Sequence, residues 1–176
     1  AVKLNPLQPQ IPLRFARHFA VRDPATAFQF LHAVDYSDGN EDETRRLTGQ
    51  ALEIAWQADR RPDMLWTVTP DTGLGLMTLA DFALGKGLSK LAWQACNQAS
   101  NRVADLERAR CFLRAGYPAE ATNAIAAIAA DPQARLLVIE AALRAGHYAE
   151  AIQLGERFWQ TSHWKHSLVQ PFVRPE

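Results

Sequence analysis

From Arg14 onward the apolar residues recur every three or four positions, the spacing of one helix face, and hardly any stretch alternates as a half-buried strand does. Arg14–Ala20 reads as a short helix. Asp23-Pro24 supplies an N-cap and a first-turn proline for a helix over Ala25–Val34, in which Ala27, Phe28, Leu31 and Val34 share a face. Thr44–Ala58 follows as a long helix with Leu47, Ala51, Ile54, Ala55 and Ala58 inward, and Pro62 opens a shorter one through Met64, Leu65 and Trp66. Thr67–Gly75, with Pro70 and two glycines, interrupts the pattern. Beyond it the spacing predicts helices near 76–85, 88–99, 103–115, 118–130, 133–145 and 148–161. Three segments fall outside the pattern. Residues 1–12, with Pro6, Pro9 and Pro12, are expected to run extended. Tyr36–Glu43 is the most loop-like stretch, and the tail from Ser162 is expected to fray or to lie across the last hairpin.

One phrase occurs twice, as Leu113-Arg-Ala-Gly-Tyr-Pro-Ala-Glu-Ala121 and as Leu143-Arg-Ala-Gly-His-Tyr-Ala-Glu-Ala151, with seven of nine positions identical at an offset of 30. A fainter copy lies 29 residues upstream, where Leu84, Gly87 and Ala92 take the places of Leu113, Gly116 and Ala121. A period of this length holds two short helices, a unit that cannot bury its apolar face without a neighbour. Gly87, Gly116 and Gly146 fall where the first helix of each hairpin ends and the chain reverses, a place that commonly needs positive φ. Ala121 and Ala151 lie one turn into the second helix, where a larger side chain would hold the helices apart beyond about 8–10 Å. Asp131-Pro132 resets the chain between repeats, which makes Ala119–Ala130 the tightly packed inner helix. The fold class that follows is all-α: an α-solenoid of about five stacked antiparallel hairpins over 13–161, most regular over 74–161.

Gly146, Tyr148, Ala151 and Ile152, with Gly116 and Ala121 repeating the pattern, resemble the turn and second helix of a tetratricopeptide repeat. The period is nearer 30 than that family's 34, Ile139 stands where the family favours a small residue, and His163 stands where it favours proline. A second likeness runs through Arg17–Val34, Asp71-Thr72 and Ala80–Asn101, which are similar to the helical scaffolds of nuclear-pore inner-ring linkers. The second half also looks like intraflagellar-transport and coat solenoids. What these resemblances imply is a stack of helical hairpins that binds other proteins.

Composition narrows the role. The chain has 176 residues, 48% of them apolar, enough for one continuous core. Nineteen basic residues balance nineteen acidic ones, so no global field favours nucleic acid or an anionic membrane. No apolar run approaches the ~20 residues that span a bilayer, so no membrane insertion is expected. No basic-then-apolar signal segment opens the chain, and its first residue, Ala1 rather than Met, fits a processed or excised chain. Cys96 and Cys111 sit in apolar helical segments and read as packed thiols. Two cysteines do not fix a compartment; a cytoplasmic location is the expectation.

Catalytic motifs are missing, and the expectation is a non-enzyme without cofactor. Gly73, Gly75, Gly85 and Gly87 lack the strand-then-helix setting and the Lys-Ser/Thr of a phosphate loop. His163 and His166, with His147, have no cysteine placed to complete a zinc site, and solvated histidines are the simpler reading. Asp38–Glu43 lacks the alternation and closing Glu of a calcium loop. Of the five tryptophans, Trp56, Trp93 and Trp159 read as core. Trp66, beside an irregular loop, and Trp164, in the tail, are the two expected to be partly exposed and to offer interface anchors.

A binding surface is expected on the first helices of the hairpins, which line the concave side of a curved stack. Aligning the repeats on Gly87, Gly116 and Gly146 places Met77, Leu106 and Leu136 at one recurring position and Asp81, Arg110 and Glu140 one turn further on. An apolar stripe beside alternating charges suits a partner helix or an extended peptide. The alternative is that the leucines are core contacts and that Arg110 pairs with Asp81 and Glu140. The function that follows is a non-catalytic scaffold or adaptor in a multiprotein assembly. Two alternatives stand beside it: a bacterial tetratricopeptide-type accessory or secretion chaperone, suited by the Ala- and Arg-rich residues 108–157, and a helical enzyme or ligand-binding regulatory domain. The last would show an enclosed polar pocket with convergent titratable groups.

Overall fold

A computed structural model of the chain describes residues 9–36 and 40–161. Among these residues the protein is all-helical, with ten α-helices and no strand: α1 (Gln10–Phe19), α2 (Pro24–Leu31), α3 (Glu41–Ala58), α4 (Pro62–Val68), α5 (Gly73–Gly85), α6 (Ser89–Gln98), α7 (Asp105–Ala115), α8 (Pro118–Ala124), α9 (Pro132–Arg144) and α10 (Tyr148–Thr161). Consecutive helices pack as pairs, α1 with α2 through α9 with α10. The first helices also touch in series, α1 on α3, α3 on α5, α5 on α7 and α7 on α9. Contacts of this kind join near neighbours along the chain, as a helical repeat requires.

The helix starts follow local chemistry. Asp23 Oδ1 accepts from the Thr26 amide at 3.1 Å and Oδ2 from the Thr26 hydroxyl at 2.6 Å. Asp131 Oδ1 accepts from the Gln133 amide at 2.6 Å, with Pro132 at the first position. Asn40 and Thr72 cap α3 and α5 in the same way. Such caps satisfy amides that have no partner within the helix.

The core is a continuous set of leucines and alanines. Leu31, Leu47, Leu52, Ile54, Leu65, Leu76, Leu79, Leu113 and Ile125 are fully buried. Ala121 and Ala151 are buried one turn into α8 and α10, as the repeated phrase predicts. Gly87, Gly116 and Gly146 have φ of 74°, 87° and 80° and close α5, α7 and α9. The Tyr117 amide donates back to the Phe112 carbonyl at 2.9 Å and the His147 amide to the Ala142 carbonyl at 2.9 Å, so the two copies of the phrase fold into the same turn.

Five expectations are corrected. Helix α1 begins at Gln10, so residues 10–12 are not extended; a proline is tolerated in the first turn because amides there have no helical acceptor. Glu41, Asp42 and Glu43 belong to α3 rather than to a loop, and their carboxylates sit in its first turn, where the helix dipole favours negative charge. The Ala119–Ala130 helix is divided: α8 ends at Ala124 and a 3₁₀ turn follows over Ala126–Ile128. Trp159, expected in the core, is 58% exposed, whereas Trp56 and Trp93 pack against the core. Cys96 and Cys111 form a disulfide rather than two packed thiols. The packing of α6 on α7 brings their Cα atoms to 6.1 Å, within the span of such a bond.

Candidate functional site

A groove of about 750 Å³ runs across α3, α5, α7 and α9. Four of the residues aligned in sequence line it: Met77 and Asp81 from α5, Arg110 from α7 and Glu140 from α9. Leu106 and Leu136 are not in its lining. Leu106 packs against the core and Leu136 is half exposed on another face of α9. The next residue along each helix, Glu107 and Leu137, lines the groove instead. The expected apolar stripe is therefore interrupted: Met77 keeps its place, Leu137 takes that of Leu136, and the charged Glu107 stands where Leu106 was expected. Trp66 lies elsewhere, half-buried against the core. Trp164, His163 and His166 lie outside the described residues.

The groove also takes in Arg45, Arg102, Arg114 and Arg144, which the sequence reading did not single out. Arg114 and Arg144 occupy the same place in the two copies of the repeated phrase, and that recurrence was the available signal. Each reaches back to the preceding first helix. Arg114 Nη2 lies 2.7 Å from Asp81 Oδ1. Arg144 Nη1 donates to the Leu113 carbonyl at 2.7 Å, and its Nη2 pairs with Glu140 at 2.7 Å. Arg110 pairs with neither acid; it donates to Gln133 Oε1 at 3.0 Å. The alternative in which Arg110 bridges Asp81 and Glu140 is thereby corrected: both acids are taken by the arginines one turn further along.

One end of the groove is the segment before α7. Arg102 pairs with Asp71, whose carboxyl it holds below the usual carboxylate range through their hydrogen bond. Gly73 and Gly75 let the start of α5 press against the Arg102 and Pro70 carbonyls, where a Cβ would have no room. That close approach explains these two glycines as packing features.

Chemically the groove is an apolar floor of Leu74, Met77, Val103 and Leu137 flanked by charged side chains, among which Asp81 pairs with Arg114 and Glu140 with Arg144. Among the described residues no group of three His, Cys, Asp or Glu side chains could hold a metal ion, and His147 instead lies 3.5 Å from Glu150. No described helix is long and apolar enough to cross a membrane. No family model, curated protein or solved structure matches this chain.

Proposed function

We propose that the chain is a non-catalytic α-solenoid of tetratricopeptide-like hairpins that serves as a scaffold or adaptor, holding a helix or an extended peptide of another protein in the groove across α3, α5, α7 and α9. The observation that supports this reading most is that every helix of the lining is the first of its pair. A repeat stack presents one continuous surface of this kind. The apolar floor offers a partner buried area, and Glu107 and Arg110, both exposed on α7, offer it register.

The rival reading, an enzyme or small-ligand domain, requires polar groups converging on one point. Here Asp81 pairs with Arg114 of the next first helix and Glu140 with Arg144 of its own helix, an arrangement suited to structure and alignment.

Affinity capture from native lysate by the wild-type chain and by an Arg110→Glu/Glu107→Lys variant, with mass spectrometry, tests the proposal. Proteins retained by the wild type and lost from an equally stable variant are the expected result. Equal capture by both, or none by either, overturns it.

A further inference from the structure

The first helix pair carries a local charge excess that the balanced total conceals. None of the 19 acidic residues falls within 9–22, whereas Arg14, Arg17 and Arg22 do, together with His18. Packing decides where they point. Pro12, Leu13, Ala16 and Ala20 turn inward and are buried. That leaves Arg14, Arg17, His18 and Val21, at spacings of three and four, along the outer face of α1 and the turn that extends it. The Asp23 amide donates to the Phe19 carbonyl at 2.8 Å, so the helical course continues past Phe19 and brings Arg22 to the same end. All five side chains are exposed. Among the described residues no carboxylate pairs with Arg14, Arg17 or Arg22, in contrast to Arg46, Arg102 and Arg114. The nearest acid in sequence, Asp23, accepts from the Thr26 amide and hydroxyl instead. Two apolar side chains stand among these charges. Val21 is 83% exposed, and Phe15, whose ring stacks on Phe30 at 5.1 Å on one flank of the face, is 45% exposed.

We propose that this outer face of α1 adsorbs on an anionic lipid surface. Charge complementarity gives the sign of the occupant, and shape gives its kind. The outer side of a single helix is convex, and no residue of α1 or α2 lines the groove across α3, α5, α7 and α9. A peptide or a nucleic-acid strand would find no walls on such a ridge, whereas a flat headgroup layer needs none. Each arginine held at an anionic surface raises the partition about fivefold, so three of them multiply to about a hundredfold. Val21 then enters the boundary between headgroups and acyl chains, as apolar side chains among cations do in interfacial helices. Adsorption of this kind leaves the chain outside the hydrocarbon core, in keeping with helices too short or too polar to span it among the described residues. The attraction acts within about 10 Å at moderate salt, so it depends on this local cluster and not on the zero net charge of the whole chain.

Co-sedimentation of the full chain with lipid vesicles tests this without any partner protein, so its outcome is independent of the groove. Vesicles of phosphatidylcholine with one-third phosphatidylserine should bind the chain at about 0.05 M salt and release it at about 0.5 M, and vesicles of phosphatidylcholine alone should not bind it. Arg14→Gln/Arg17→Gln/Arg22→Gln changes only exposed side chains, should keep the wild-type Tm, and should weaken binding at least tenfold. Arg60→Gln/Arg61→Gln/Lys90→Gln removes the same charge from exposed positions outside α1 and should keep most of the binding. A second readout is local. With Cys96 and Cys111 held in their disulfide, an environment-sensitive dye on Val21→Cys should brighten on the phosphatidylserine vesicles, and the same dye on Tyr148→Cys, at the start of α10, should not. Failure to bind the anionic vesicles would overturn the proposal. So would equal binding to the neutral ones, equal losses in the two triple variants, or a dye response at position 148 in place of 21. Tighter binding to a single-stranded oligonucleotide than to the vesicles would make nucleic acid the occupant and overturn it as well.

Discussion

Arg114 and Asp81 form an ion pair at 2.7 Å that ties α7 to α5 across 33 residues of sequence. The same position of the repeated phrase, Arg144, ties α9 to α7 by donating to the Leu113 carbonyl. A residue that reads as an incidental surface arginine in one copy of the phrase is thus a link between neighbouring helix pairs in both. The Asp81 and Arg114 side chains are 40% and 49% exposed, which limits what their pair contributes. A double-mutant cycle on Arg114→Ala and Asp81→Ala should return a coupling of about 0.5–1 kcal/mol, decreasing as salt is raised. Arg144→Ala removes a charge-assisted bond to a backbone carbonyl and should cost more, about 1–2 kcal/mol in denaturant unfolding.

Gly116 and Gly146 hold φ of 87° and 80°, and nothing lies within 4 Å of where their Cβ atoms would stand. Space is therefore not the constraint; backbone conformation is. Gly116→Val and Gly146→Val should each lose about 1–3 kcal/mol. Gly116→Asn should lose less, because asparagine tolerates the left-handed region. Gly49 has equally open surroundings and no positive φ, and sits inside α3. Gly49→Ala should leave stability unchanged or raise it by up to about 1 kcal/mol. Thermal unfolding of the set checks the assignment.

These turns were legible in the sequence because glycine at a fixed period is a one-dimensional signal with a single physical cause. Helix capping by Asp23 and Asp131 was legible for the same reason. What was not legible depended on the register of one helix on another. The pairing of Cys96 with Cys111 follows from how α6 lies on α7, which no spacing of two cysteines encodes. The groove likewise took Glu107 and Leu137 in place of Leu106 and Leu136, a slip of one residue that turns a helix by about 100°. The start of α1 at Gln10 was hidden by Pro12, which reads as a breaker although the first turn accommodates it.

The disulfide closes a short loop, with 15 residues of separation between its cysteines, and links two helices of adjacent pairs. Chain-entropy reasoning assigns such a loop about 3 kcal/mol at 25 °C. For a chain of this size that corresponds to a fall of about 6–12 °C in Tm when the bond is reduced. Both sulfurs are buried, so reduction should require partial unfolding and proceed slowly in the native protein. Mass spectrometry after alkylation under non-reducing conditions should show neither cysteine modified; alkylation of both would remove the bond and this prediction with it.

Tyr36 supplies an alkaline signature. Burial pushes its phenol up to about 12, and its hydroxyl donates to the Val68 carbonyl at 3.4 Å. The folded state therefore holds this proton more tightly than the unfolded chain, whose tyrosines titrate near 10. The contribution is fully present below pH 10 and is lost as pH rises from 10 towards 12, because there the folded state binds more protons than the unfolded one. Stability measured from pH 9 to 12 should fall, and Tyr36→Phe should make that decline shallower. An identical slope in the variant would place the alkaline sensitivity at other groups.

Arg110 distinguishes binding from packing. It is exposed in the groove wall, and its side chain donates to Gln133 at 3.0 Å rather than to a carboxylate. Solvent screens an exposed hydrogen bond of this kind although its donor is a cation, so Arg110→Glu should change stability by less than about 1 kcal/mol. A partner seated between α5 and α9 would instead meet a reversed charge at the centre of the lining, beside Glu107. Affinity for a protein captured through the groove should then fall at least tenfold, with the loss greatest at low ionic strength. The matched control is Arg61→Glu, which removes an exposed arginine outside the lining that pairs with Asp59 at 2.6 Å. That change should leave affinity unaltered. Measuring melting and affinity on the same preparations separates the outcomes. A large drop in Tm with affinity intact would make Arg110 a structural link and leave the groove without its central contact.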